Sequence, residues 1–457
     1  MIQRKKRANY EMDMCSGSIW KKMLLFTIPL MFSSILQLLF NAADIVVVGR
    51  FAGDNSLAAV GSTSSLINLL VNLFTGLSVG VNVLAARYYG AKQEKELRET
   101  VHTAILVSIV SGFFLMIIGV LCAKQILQWM QAPEEVLGLS TTYLRIYFMG
   151  MVAMMLYNFG SAILRAVGDT QRPLYYLFFA GIINVVLNLI FVIVFKMDVA
   201  GVGLATTISQ FVSAILVLRC LMKEKGGIHV DLKSLKIHKD KFVRILQIGL
   251  PAGLQGTIFS FSNVVVQSSI NSFVATVFDG SSAASNIEGF VYVSMNAFHQ
   301  ATISFTSQNV GAGKYERVNR ILYTALGYVA VVGLVLGNGA VIFGEQLIGI
   351  YSSSPEVIRE GILRLGYLCM PYALCGMMDV MVGSIRGIGY AIMPMIVSLC
   401  GACGLRLLGI ATIFQMERFH TIETVYVLYP ITWLITFMTH VICFVIVRRK
   451  LAKVWGK

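Results

Sequence analysis

The sequence predicts an all-α polytopic membrane protein, with twelve transmembrane helices in two pseudo-symmetric six-helix lobes. Three observations carry this. Hydrophobic residues fill 56% of the 457 positions and charged residues only 13%, about half the roughly 25% of a soluble domain. The apolar residues run in stretches of about 20 or more, the length a helix needs to cross about 30 Å of hydrocarbon. The two halves of the chain also repeat. A soluble enzyme, a secreted disulfide scaffold and a disordered chain are excluded.

In chain order, residues 1–18 are a polar, basic segment expected in the cytoplasm, with no cleavage site after a short apolar core and so no removable signal peptide. Spans follow near 19–47, 55–84, 98–123, 135–164, 172–196 and 201–222, forming an N-lobe of 19–222. A hydrophilic linker, 223–241, separates them from spans near 242–273, 280–307, 319–344, 357–385, 390–415 and 424–447, a C-lobe of 242–447. Residues 448–457 are a basic tail. The runs are too long and too uniformly apolar for barrel strands, which alternate in segments of about ten residues.

Charge gives the orientation. With both termini cytoplasmic, the inner segments hold 29 of the 37 lysines and arginines, as the positive-inside rule requires. The opposite loops hold Arg50, Lys124, Lys196, Arg359 and Arg418; Arg145, Arg364 and Arg406 fall within spans. The net charge of +14 punctuates apolar segments and forms no stripe with interleaved aromatics, so nucleic acid is not expected as a partner. The expected surroundings are the lipid bilayer of a bacterial plasma membrane. Cys400 and Cys403 lie in an apolar run and read as packing residues rather than a redox or metal pair.

At an offset of 221–222 residues, Pro29 falls on Pro251 and Tyr89-Gly90-Ala91 on Val310-Gly311-Ala312. Ala132-Pro133-Glu134 falls on Ser354-Pro355-Glu356, Arg165-Ala-Val-Gly168 on Arg386-Gly-Ile-Gly389, and Pro173 on Pro394. Five matches in order exceed chance. An even number of spans per half makes the repeats parallel, related by an axis along the membrane normal. Two such bundles can rock about a central cleft, the expected substrate site.

Asn41-Ala-Ala-Asp44-Ile-Val-Val-Val-Gly49-Arg50, followed by Leu57-Ala-Ala-Val-Gly61, resembles the first-helix signature of the multidrug and toxic compound extrusion (MATE) family. Gln308-Asn309-Val-Gly311-Ala312-Gly313 and Leu164-Arg165-Ala-Val-Gly168-Asp169 resemble its loop motifs after helices eight and four. Gly201-Val-Gly203-Leu-Ala205-Thr206 is similar to its sixth-helix opening. The resemblance covers about 18–445 and points to the bacterial MepA-like branch. It implies an N-lobe acid in the first helix as coupling group. Two departures stand out: a second acid carried by some members in helix five is Asn188 here, and a helix-seven glutamate is replaced by Gln255, Ser260, Ser262 and Asn263.

An ionisable residue at the bilayer centre costs roughly 2.5–3.5 kcal/mol on insertion scales, so it faces the bundle interior and marks function. Asp44, Glu288 and Asp379 are the candidates. Asn184 and Asn188 share one face of the fifth span, and depth counting puts Asn188 and Thr206 in the outer half beside Asp44. Asn158, deeper in the fourth span, is the repeat equivalent of Asp379. A carboxylate among amides and a hydroxyl can bind a proton, or Na⁺ at Asp44, Asn184 and Asn188; the alternative is an aspartate that only packs helices through its asparagine partners. Glu288 and Asp379 are expected to attract cations or to couple, unless buried against a basic residue, for which Arg406 is the obvious partner. His299 reads as a satisfied polar contact. Arg165 and Arg386 read as structural, balancing helix C-terminal dipoles. The methionines at 149, 151, 154, 155, 377, 378 and 381 suit either an adaptable binding surface or packing.

No enzyme constellation is present. Without a G-x-x-x-x-G-K-[ST] loop, ATP does not drive the cycle directly, and no cofactor beyond a coupling ion, H⁺ or Na⁺, is expected. The expected function is secondary-active multidrug efflux by cation antiport, exporting amphipathic, often cationic compounds by alternating access without an obligate protein partner. The alternatives are a flippase for lipid-linked sugars, which needs several basic residues in its cavity, and a channel or receptor.

Overall fold

The computed structural model describes residues 10–130 and 132–455, and no β-strand occurs among them. The helices α1 (Ile19–Phe51), α2 (Asp54–Gly90) and α3 (Glu94–Trp129) are single rods. The fourth rod is α4 (Glu134–Met149) with α5 (Met151–Ala166), the fifth α6 (Gln171–Leu189) with a π segment Ile190–Val194, and the sixth α7 (Asp198–Lys223). In the second half come α8 (Lys239–Ile270), α9 (Ala275–Gly311) and α10 (Glu316–Ile342), then the short α11 (Gly344–Gly349). The tenth rod is α12 (Pro355–Cys369) with α13 (Tyr372–Ile388); α14 (Ile392–Ser398), a π segment Leu399–Leu405 and α15 (Arg406–Ala411) make the eleventh, and α16 (Ile422–Trp455) the last.

Eight rods are singly long and apolar enough to cross a membrane, and the bent pairs α4–α5 and α12–α13 bring the number to ten. The remaining two, α8 and α9, have 32 and 37 residues. They are more polar because they face protein: α9 buries Glu288, His299, Thr302, Ser304, Gln308 and Asn309 among others.

Where the apolar pattern implies continuous fourth and tenth spans, the structure bends them by 45° and 42°. The bends are one repeat apart and have different causes. The first falls at Gly150, where the missing side chain leaves room for Gln210 Oε1, which would lie 2.3 Å from a Cβ. In the second, Pro371 lacks the N–H needed to continue the hydrogen-bond ladder.

The apolar core forms two large clusters, and two helices belong to both. The first half of α1 (Ile19, Met23, Phe26, Leu30) packs with residues of the second lobe, whereas Val47 and Val48 at its other end pack in the first. Helix α8 does the reverse, with Ile245 in the first-lobe cluster and Val266 and Ile270 in the second. Each lobe thus lends the start of its opening helix to its neighbour.

The lobes meet at the end of the bundle that carries both described termini, here called the basic end. A Cβ on Gly90 would lie 2.1 Å from the Gln308 carbonyl oxygen, and one on Gly311 1.9 Å from that of Arg87. Gly90 and Gly311 are repeat equivalents, as are Arg87 and Gln308, so the contact is reciprocal about the pseudo-twofold axis. Asn82 and Ser304, from the same two helices, hydrogen-bond each other at 3.0 and 3.1 Å. Gly76 and Gly80 of α2 press against Gly253 and Gly249 of α8; the equivalent α1–α9 contact is instead the edge-on pair Phe26–Phe305, 5.6 Å between centroids.

Residues 10–18 lie across this seal. Met14 is fully buried. Met12 N donates to the Val167 carbonyl at 3.1 Å, Asn309 Nδ2 to the Met14 carbonyl at 3.1 Å, and Lys314 Nζ to the Cys15 carbonyl at 2.8 Å. At the opposite end the lobes part, leaving Asn41, Asn68 and Asn263 exposed.

Candidate functional site

Just beyond the seal, between the lobes, lies a cavity of about 500 Å³. Its wall is built from polar positions of helices that are otherwise apolar: Ser33, Gln37 and Asn41 of α1, Asn72, Thr75 and Ser78 of α2, Asn158 of α5, and Asn296 and Gln300 of α9. Its floor carries Arg165 and Arg386, one from the last turn of α5 and one from the last turn of α13. No aspartate or glutamate lines it among the described residues.

Both arginines stand in the last turn of their helices, as expected, and also line the cavity. Beside them, on the basic side, Gln308 Nε2 donates to the Ala166 carbonyl at 2.6 Å and Arg87 Nη2 to that of Ile388 at 2.7 Å. Arg386 Nη2 donates to Gln255 Oε1 at 2.7 Å. The Nε of each arginine is buried without a hydrogen-bond partner. The arginines within spans do not line the cavity. Arg145 Nε donates to the Val120 carbonyl, Arg364 pairs with Glu288, and Arg406 lies 3.9 Å over the Tyr429 ring.

One turn along α1 from Asn41, Asp44 points into the N-lobe, not into the cavity, and is buried. The structure brings Asn184, Asn188 and Thr206 around it. Asn188 Nδ2 donates to Asp44 Oδ1 and, at 3.4 Å, to Asn184 Oδ1. Thr206 Oγ1 donates to Asp44 Oδ2 at 3.3 Å and lies 3.3 Å from Asn184 Nδ2. Asn158 is not part of this cluster: it lines the cavity and donates to the Met154 carbonyl at 2.9 Å. No ion pair involves Asp44 among the described residues.

The cluster suits a small cation. Asp44 supplies the charge, Asn184, Asn188 and Thr206 supply neutral oxygens, and Asn188 Oδ1 is buried with no partner. A proton on Asp44 would add a donor, and turning the Asn188 amide over would offer it an acceptor. The same residues therefore fit either ion.

The second lobe treats its acids differently. Glu288 accepts from Arg364 Nε at 2.7 Å and Nη2 at 3.0 Å, while Arg364 Nη1 donates to Ser281 Oγ at 2.6 Å. The partner is Arg364, not Arg406, and in this buried bidentate pair the guanidinium neutralises the Glu288 carboxylate. Asp379 is held by hydrogen bonds from Tyr292 and Asn296 and lies near Arg386. His299 Nδ1 is 2.6 Å from the Asp379 carbonyl oxygen, a satisfied polar contact.

Sequence reasoning missed Tyr292 and Asn296 as partners of Asp379, although both follow Glu288 at four-residue spacing on one face of α9. The methionines of α5 and α13 belong to the packed lobes: Met151, Met155, Met378 and Met381 are nearly inaccessible, and none of the seven lines the cavity.

A family model described as MatE matches residues 29–190 and 251–411. The chain is 26% identical over 430 residues to the probable multidrug resistance protein YoeA of Bacillus subtilis (strain 168), covering 92% of each. It is 21% identical to the multidrug export protein MepA of Staphylococcus aureus (strain NCTC 8325 / PS 47), covering 81% of this chain and 82% of that one. An FAD transporter of Shewanella oneidensis is also 21% identical, with 84% and 86% covered. Among solved structures, the outward-facing conformation of a multidrug resistance MATE family transporter of the MOP superfamily superposes with a TM-score of 0.90 at 22% identity, covering 96% of this chain and 98% of that one.

Proposed function

The chain belongs to the MatE family, and from that premise we propose that it is a secondary-active exporter of amphipathic organic molecules, driven by H⁺ or Na⁺ bound at Asp44. One observation supports the coupling role above others: Asp44 is buried among amides and a hydroxyl with no basic partner. A charge held that way is free to be titrated or to meet a metal ion, as an ion-paired acid is not.

The basic end faces the cytoplasm of a bacterial cell in this reading, so the sealed, open-outward arrangement is the state that has released its substrate. Helix α1 links the two events, since it carries Asn41 on the cavity and Asp44 in the N-lobe while its first half packs in the second lobe. An ion drives the cycle only by favouring one state over the other, and each charge crossing 100 mV supplies about 2.3 kcal/mol. Relatives named for multidrug resistance and for FAD suit a cavity of variable specificity. They do not favour the flippase alternative.

The test is efflux of an organic dye from proteoliposomes under an imposed gradient. Efflux that collapses with the gradient supports exchange; equal passive flux in both directions contradicts it.

A further inference from the structure

The cavity floor has a chemistry that the export reading leaves open. Two guanidinium groups from equivalent turns of the two lobes, Arg165 and Arg386, line one cavity without a lining carboxylate among the described residues. Each keeps a buried Nε without a partner. A buried, unsatisfied donor costs free energy, and a planar guanidinium matches a carboxylate or phosphate in bidentate geometry. The nearest acid, Asp379, is held by Tyr292 and Asn296 and forms no ion pair with Arg386 among the described residues. Arg165 faces the cavity beside neutral Tyr157 and Asn158. The remaining wall offers amide and hydroxyl groups with the apolar Leu30, Leu38, Val79 and Val293, a lining for an amphipathic body.

We propose that this cavity takes an organic anion, an amphiphile whose carboxylate or phosphate is clamped between Arg165 and Arg386. The proposal deepens the export reading and rests on it for the route, but the anion site itself can be tested separately. It departs from the sequence expectation of amphipathic, often cationic substrates.

The experiment uses the full chain in detergent and in proteoliposomes, with carboxyfluorescein as anionic probe and ethidium as cationic probe. The wild-type protein should bind carboxyfluorescein more tightly than ethidium by about tenfold or more, a discrimination near 1.4 kcal/mol. Arg165→Gln or Arg386→Gln should remove that preference, and the lysine variants should restore part of it. Ethidium preference in the wild type, or an unchanged ratio in both glutamine variants, overturns the proposal. Should a variant fail to fold, displacement of carboxyfluorescein from wild-type protein by inorganic pyrophosphate, with ethidium undisturbed, still decides. A labelled phosphatidylglycerol in the same vesicles separates a headgroup from a free anion: lipid transfer without dye movement overturns the soluble-substrate form. Carboxyfluorescein binding that persists while no gradient moves any dye supports the anion site and removes the export reading.

Discussion

Asp44 in the first lobe and Glu288 in the second are both buried carboxylates on helices that reach the lobe interface, yet their surroundings are opposite. Asp44 is met by Asn188 and Thr206; Glu288 is met on both oxygens by Arg364. The repeat sharpens the contrast. At an offset of 221–222, Asp44 corresponds to Val265 or Val266, so the second lobe has an apolar residue where the first has its acid. One scaffold was duplicated, and its copies hold their acids differently: Asp44 among amides and a hydroxyl, Glu288 against Arg364, and Asp379 without an ion pair among the described residues. In the proposed reading ion coupling rests on Asp44 of the first lobe, while the Glu288–Arg364 pair ties α9 to α12 in the second.

Substitutions can break this comparison, and the largest effect is expected at Asp44. Asp44→Asn should reduce gradient-driven efflux roughly 100-fold or more, since an ion that no longer distinguishes the two states shifts nothing, while insertion and thermal stability in detergent stay close to wild type. Glu288→Gln should do the reverse. It leaves Arg364 buried with half its partners, a loss of about 3–5 kcal/mol seen as a lower unfolding temperature, and the double variant Glu288→Leu/Arg364→Met should recover stability and retain efflux. A Glu288→Gln protein that is stable but uncoupled would contradict the assignment of lobes.

Smaller changes refine the contrast. Asn188→Ala and Thr206→Ala each remove one hydrogen bond to a charged group, worth about 1.5–3 kcal/mol, and should weaken the dependence of efflux on ion concentration by more than tenfold without abolishing it. The smallest effect is expected at His299, where His299→Gln keeps a donor for the Asp379 carbonyl and should change efflux and stability by no more than about 1 kcal/mol. A large loss there would make the second lobe a participant.

The sequence made the rods, their order and the repeat legible because hydrocarbon thickness fixes span length and because prolines and glycines recur at fixed offset. It also led to the Asp44 cluster, since Asn184 and Asn188 share a helix face and alternating span direction brings Thr206 to the same depth. Other features depend on packing that no residue type encodes. Arg165 and Arg386 read as helix-end charges, and only the packing of the two lobes brings them together on the floor of a cavity. Arg406 is the obvious partner for Glu288 from the sequence, but the packing of α12 on α9 places Arg364 there instead. The bends at Gly150 and Pro371 lie inside unbroken apolar runs, where hydropathy carries no sign of them.

The central claim is that the ion which drives transport is bound at Asp44. Dye efflux from proteoliposomes at clamped membrane potential, with inward H⁺ and Na⁺ gradients imposed separately on wild-type and Asp44→Asn protein, tests it most directly. One gradient should drive the wild type uphill and neither should drive the variant. An Asp44→Asn protein still driven by either gradient would contradict the account.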